Sequence, residues 1–120
     1  MKKLLAIVLA LCMVLSIACF AAAESDDLIK VGIINNDPTE SGYRAANVAD
    51  MEKVFCEENG YDAQFFYSLK NEEQIAQAKK FIADEVDYLL LSAAATTGWD
   101  SVLKEAEEAG VTVILFDRTI

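Results

Sequence analysis

The apolar positions fall into two different patterns. Residues 4–23 form one continuous apolar run broken only by Ser16. Beyond it, short blocks that are apolar almost throughout alternate with longer stretches in which apolar residues recur every three or four positions. The blocks are Ile29–Asn35, Tyr61–Tyr67, Asp87–Ser92 and Val111–Phe116. Near-continuous apolarity over five to seven residues predicts strands covered on both faces; the second block alternates in part and suits a place near a sheet edge. The intervening stretches predict helices. One runs from about Ser41 to Asn59, with Ala45, Val48, Met51 and Phe55 on a stripe and Gly60 as its stop. A second is capped by Asn71 with Gln74 three residues on, and buries Ile75, Ala78, Phe81 and Ile82. A third runs from about Gly98 to Ala109, with Val102, Leu103, Ala106 and Ala109 inward and Gly110 closing it.

The order is therefore β-α-β-α-β-α-β with short connections. Such an order predicts an open, doubly wound parallel sheet of strand order 2-1-3-4, with helices on both faces and right-handed crossovers. The last strand is among the most apolar, a poor choice for an exposed edge. That, with the chain stopping four residues later, reads as an incomplete lobe of a longer protein.

The long apolar run follows Met1-Lys2-Lys3 and ends in Ala21-Ala22-Ala23. A basic start, an apolar middle and a small-residue exit describe a signal peptide over 1–23, followed by a linker at 24–28 and the lobe at 29–120. The same run has two other readings: a retained membrane anchor, and a lipoprotein signal with the lipid on Cys19. All 20 acidic residues and eight of the ten basic ones lie beyond residue 23, a balance of −12 there. That acidity argues against nucleic acid as a partner and leaves the membrane only through the signal segment or the Cys19 lipid. With no His in the chain and one Cys (Cys56) beyond residue 23, a helical buried thiol, no metal spacing arises. No phosphate-cradling Gly-rich loop or nucleophile elbow is present either, so neither cofactor nor enzymatic chemistry is expected.

In an open parallel sheet ligands bind beyond the carboxyl ends of the strands, near the switch in strand order. Here that rim comprises the loops at 36–44, 92–99 and 117–120. The first holds Glu40-Ser41-Gly42-Tyr43-Arg44. A carboxylate and a guanidinium offer charge-assisted hydrogen bonds to vicinal hydroxyls. Gly42 allows close backbone approach, Tyr43 offers a ring to stack on a sugar, and a helix starting at Ser41 leaves backbone N–H groups free. The same residues also suit a polar helix cap with a surface Arg. The last loop holds Asp117-Arg118, which reads either as a polyol clamp or as a local ion pair. Trp99 either lines the site or packs beneath its loop as core.

These stretches resemble a known family. Glu40-Ser41-Gly42-Tyr43-Arg44-Ala45-Ala46, Thr97-Gly98-Trp99 with Val102-Leu103-Lys104-Glu105-Ala106, and Leu115-Phe116-Asp117-Arg118-Thr119-Ile120 are similar to the N-terminal lobe of ribose/galactose-type periplasmic binding proteins, and within them to the galactofuranose-binding receptors. The resemblance implies a two-lobed receptor that closes on a monosaccharide and delivers it to an ABC transporter permease. It implies sugar contacts from the segment matching Glu40 to Arg44 and from the pair matching Asp117 and Arg118. Tyr43 stands where those receptors carry Trp, and Asn36-Asp37-Pro38-Thr39 departs from their loop. Since only one lobe is spanned, weak or absent sugar binding by this chain alone is expected. A sugar-sensing module feeding a chemoreceptor or sensor kinase shares the fold, as does a non-functional truncated fragment. A secreted flavodoxin-like enzyme and a cytoplasmic sugar-responsive repressor are opposed by the missing catalytic motifs, and by the signal segment and missing DNA-binding helices.

Overall fold

The computed structural model describes residues 27–120. The signal segment read at 1–23 and the start of the 24–28 linker therefore lie outside the described residues. The elements are β1 (Ile29–Asn35), α1 (Gly42–Val54), β2 (Tyr61–Tyr67), α2 (Asn71–Ala83), β3 (Tyr88–Leu91), α3 (Asp100–Ala109) and β4 (Thr112–Leu115), with 3-10 turns at Pro38–Glu40 and Glu57–Asn59. All pairings are parallel and the strand order is β2-β1-β3-β4, as the element order predicts.

Alternation along the strands divides the core in two. Ile34, Leu89 and Leu91 face α2 and α3, where Ala78, Phe81, Trp99, Val102 and Ala106 complete a buried cluster. Val31, Ile33 and Leu90 face the other way, against Met51 and Phe55 at the end of α1 and Tyr61 at the start of β2. Residue 32 is glycine because a side chain there would run into Phe81: a Cβ would lie 2.6 Å from two of its ring atoms. β4 forms one edge of the sheet, with Ile114 and Leu115 both exposed. β2, half-buried or exposed along its length, forms the other.

Several expectations need correcting. The helix predicted over 41–59 ends at Val54. Phe55 turns inward to pack edge-on against Tyr61, ring centres 5.0 Å apart, and Cys56 follows in extended backbone before the 3-10 turn. Cys56 is thus a half-buried thiol outside the helix rather than a buried helical one. The inward stripe of α1 is Arg44, Asn47, Val48 and Met51, and Ala45 is exposed, because Arg44 and Asn47 are drawn to Asn35 and Asp117 at the sheet rim. Asn71 does not cap α2 but opens it, donating its amide to the Thr97 carbonyl (3.0 Å). Lys70 takes the N-cap position with no side-chain cap, and the Ser68 hydroxyl upstream accepts from the Lys70 N–H (3.0 Å) and donates to Glu73 (2.6 Å).

Gln74 is fully buried and joins two rim loops. Its amide nitrogen donates to the Ser68 and Ser92 carbonyls (2.9 and 3.3 Å), and its oxygen accepts from the Ala94 N–H (2.8 Å). Finally, α3 starts at Asp100, after Gly98 with φ 89°. Only Val102 and Ala106 of its expected stripe are buried. Leu103 instead lines a groove with Trp99 and Ile120, and Ala109 is exposed, since the apolar face of α3 reaches past the edge strand it covers.

Candidate functional site

The carboxyl ends of β1, β3 and β4 lie side by side, so the loops that follow them share one rim. Two of the three expected loops converge there. Pro38 starts the 3-10 turn, Asp37 caps it through the Thr39 N–H (2.8 Å), and the turn delivers Glu40 to the rim. Ser41 is the N-cap of α1, its hydroxyl accepting from the Arg44 N–H (3.1 Å). A side chain that caps a helix is committed to its own backbone, so Ser41 shapes the loop. Nothing lies within 4 Å of a Cβ built on Gly42, which leaves the helix start open.

From the other side, the chain leaves β4 through a tight reversal. Asp117 takes φ 62°, and the Phe116 carbonyl accepts from the Arg118 N–H across it (2.6 Å). A three-residue turn with positive φ is strained for most residues, and Asp is among the few side chains that tolerate it. The reversal turns Asp117 back toward α1 and sets Arg118 over Glu40.

The result is a closed ring of alternating charge. Arg44 meets Glu40 at 3.3 Å, Glu40 meets Arg118 at 2.8 Å, Arg118 approaches Asp117 at 3.9 Å, and Asp117 meets Arg44 at 2.6 Å. Arg44 is the inner corner, buried at 2 % exposure, and it also donates to Asn35 Oδ1 at 2.8 Å. Arg118 is the outer corner, its side chain 40 % exposed. Tyr43 stands beside the ring, 61 % exposed; its hydroxyl donates to Asp117 (3.3 Å) and its face lies 5.5 Å from the Arg44 guanidinium carbon. All seven residues singled out from the sequence lie on these two loops, and five of them (Glu40, Tyr43, Arg44, Asp117, Arg118) are linked side chain to side chain.

The third loop contributes less. Only Ser92 reaches the ring, at 3.4 Å from Asp117. Trp99 is core, 2 % exposed, with its indole N–H on the Ala95 carbonyl (2.9 Å). Sequence reasoning missed the buried polar layer beneath the ring: Asn35, Asn36, Ser92 and Gln74 are all fully buried. A signal was available, since Asn35-Asn36 and Ser92 are the polar residues that close the apolar runs of β1 and β3 at the rim.

The charges reinforce one another. The Arg44 hydrogen bond holds the Asp117 carboxyl below the usual carboxylate range; burial opposes this, and the charge of Arg44 with the Tyr43 hydroxyl adds to it. Burial works against the Arg44 charge but is outweighed by Asp117 and Glu40, leaving the guanidinium more firmly protonated than usual. A carboxylate depressed in the folded state stabilises the fold above its unfolded value of about 3.9. That contribution is lost as pH falls through the lower folded value. Urea midpoints measured from pH 7 down to pH 2.5 are therefore expected to fall below about pH 4. Asp117→Asn, which keeps the positive φ accessible, is expected to flatten that acid limb relative to wild type.

Comparison with known proteins places this geometry. Residues 31–120 match the periplasmic binding protein domain. The chain is 36 % identical over 126 residues to the fructose import binding protein FruE of Bifidobacterium longum, covering 99 % of this chain and 38 % of that one. It is 37 % identical over 123 residues to the galactofuranose-binding protein YtfQ of Escherichia coli, covering all of this chain and 36 % of that one. A solved Mycobacterium smegmatis protein in complex with β-D-fucofuranose superposes with a TM-score of 0.70 at 35 % identity, over 77 % of this chain and 30 % of that one. The chain thus spans little more than a third of the length of the curated relatives it matches. With the match running through nearly all the described residues and the sheet order and rim in place, the chain belongs to the periplasmic binding protein family.

Proposed function

We propose that the chain supplies one wall of a monosaccharide site in the solute-binding component of a carbohydrate ABC importer, and that it is not an enzyme. The observation that carries this reading is the charge ring beside an exposed aromatic face at the carboxyl ends of the strands. Sugars present vicinal hydroxyls, each both donor and acceptor, on a ring with apolar C–H faces. Paired carboxylates and guanidinium groups accept from and donate to such hydroxyls, and Tyr43 covers a C–H face. The ring is self-neutralised, so an uncharged ligand can join it without stranding a charge. A five-membered sugar ring is favoured by two relatives, one named for galactofuranose and the other bound to β-D-fucofuranose. Tyr43 can stack and also donate a hydrogen bond.

In this reading the opposite wall comes from a second lobe, closure on the sugar removes water, and the polar contacts strengthen as it leaves. The complex then docks on a transporter permease. Export through the 1–23 segment places the receptor in the periplasm or at the outer face of the cell membrane.

The test is a chimera in which residues 29–120 replace the matching stretch of the Escherichia coli galactofuranose-binding protein, titrated with reducing sugars by calorimetry. The chimera is expected to bind at least one aldose or ketose at on the order of micromolar concentration, and the isolated chain no tighter than about millimolar. A folded chimera that binds none of them contradicts the receptor reading. Micromolar binding by the isolated chain contradicts the half-site.

A further inference from the structure

Three N–H groups of Arg44 are used, and they differ in kind. Nε and Nη2 go to Glu40 and Asp117, carboxylates at the rim for which ligand hydroxyls can compete. Nη1 goes down, to Asn35 Oδ1 at 2.8 Å. Asn35 is the last residue of β1 and fully buried. Its oxygen also accepts from the Asn36 N–H (2.8 Å), and its amide nitrogen donates to Asn47 Oδ1 (2.7 Å). Asn47 lies on α1, three residues beyond Arg44 and so on the same face.

The three bonds fix which way round the Asn35 amide sits. Two donors, Arg44 Nη1 and the Asn36 N–H, hold its oxygen, while Asn47 Oδ1 holds its nitrogen, which otherwise meets only Met51 Sδ at 3.9 Å. Without the Asn47 acceptor the amide keeps its oxygen bonds but loses the bond that sets its tilt, and the guanidinium plane bonded to it loosens with it. We propose that Asn35 and Asn47 are positioning residues for Arg44: the relay from Asn47 through Asn35 holds the plane of the guanidinium so that its free N–H groups stay turned to the rim. Neither residue carries charge, so the contribution is orientation. A site whose polar groups are held in place from behind grips its ligand without first having to order them. This role rests on the sugar-wall reading of the charge ring.

Asn47→Ala tests it: the better helix former at a half-buried position offsets part of the cost of leaving the buried Asn35 N–H without its acceptor. The readouts on the isotopically labelled chain are the Arg44 Nε–H resonance, its heteronuclear NOE, and the sugar concentration at half-maximal shift. Asn47→Ala is expected to lower the melting temperature slightly, to move the Arg44 Nε–H signal, to lower its NOE and to raise the half-maximal sugar concentration about tenfold. Asn47→Asp keeps the acceptor and is expected to restore the wild-type signal. An Arg44 signal unchanged in Asn47→Ala, or no rescue by Asn47→Asp, overturns the positioning role. If the wild-type chain shows no sugar response at all, the sugar reading fails by itself, while the Arg44 signal in the two variants still decides whether Asn47 positions it.

Discussion

Replacing Arg44 by Met is expected to lower the stability of the chain by on the order of 3–5 kcal/mol, the largest loss available from any one residue of the rim. Arg44 is the corner on which both carboxylates depend. Removing it leaves Asp117 and Glu40 without their inner counter-charge and takes one of two donors from the Asn35 oxygen beneath them. Arg118 already pairs with Glu40 and, being 40 % exposed, can reach toward Asp117 only from the solvent side. Arg44→Lys is not expected to rescue: a lone ammonium cannot reproduce the planar fork that meets Glu40, Asn35 and Asp117 at once. Arg118→Met, on the wet side, is expected to cost no more than about 1 kcal/mol. The loss is that of an uncompensated charge, so neutralising the partners should recover part of it. The triple variant Arg44→Met, Glu40→Gln, Asp117→Asn is expected to be more stable than Arg44→Met alone. Urea denaturation of the wild type and the four variants at pH 7 measures all of this. A triple variant less stable than Arg44→Met would contradict the charge account.

Gly32→Ala is expected to destabilise the fold by about 1–3 kcal/mol, although alanine is ordinarily the better residue within a strand by roughly 0.5–1 kcal/mol. Two effects oppose each other, and the packing decides between them. Gly32 sits in mid-β1 between β2 and β3, and a Cβ there would come within 2.6 Å of Cγ and Cδ2 of Phe81. These are atoms of a ring that is 1 % exposed and fills the centre of the α2–α3 core. Such a ring cannot swing aside as a flexible side-chain tip could, so either α2 shifts or the strand bows. Phe81→Ala removes the opposing Cγ and Cδ2 atoms. The double variant is expected to be less destabilised than the sum of its two single variants, by about 1 kcal/mol or more. Strict additivity in thermal or urea unfolding would show that the contact is not the reason for glycine at this position.

Much of the architecture could be read before any coordinates. Near-continuous apolar runs separated by helical periodicity give parallel strands, and right-handed crossovers with short connections leave few strand orders. From that order it follows that the loops after β1 and β4 meet at one rim, which is why Glu40, Tyr43, Arg44, Asp117 and Arg118 could be grouped across more than seventy residues. What lay beyond reach depends on direction rather than position. Hydrophobic periodicity leaves Arg44 off the buried stripe and sets its neighbour Ala45 on it, because it weighs hydrophobicity and cannot foresee a guanidinium drawn inward by Asn35 and Asp117. Gln74 reads as half of a capping box because its spacing from Asn71 fits, whereas the helix starts a residue earlier and turns the amide toward the rim loops. Cys56 follows the helical spacing of its neighbours, yet the packing of Phe55 on Tyr61 ends the helix first.

The most direct check on the central claim is a titration of the labelled chain with D-fructose, with D-galactose and with the sugars the chimera binds, followed by two-dimensional NMR to concentrations of tens of millimolar or more. The account predicts that at least one sugar moves the backbone amides of Glu40 to Arg44 and of Asp117 and Arg118, together with the Arg44 Nε–H, along a curve that bends in roughly the millimolar range. It predicts that the amides at the opposite end of the sheet stay still. Shifts confined to that opposite end, or a rim that stays silent with every sugar the chimera binds, would contradict it.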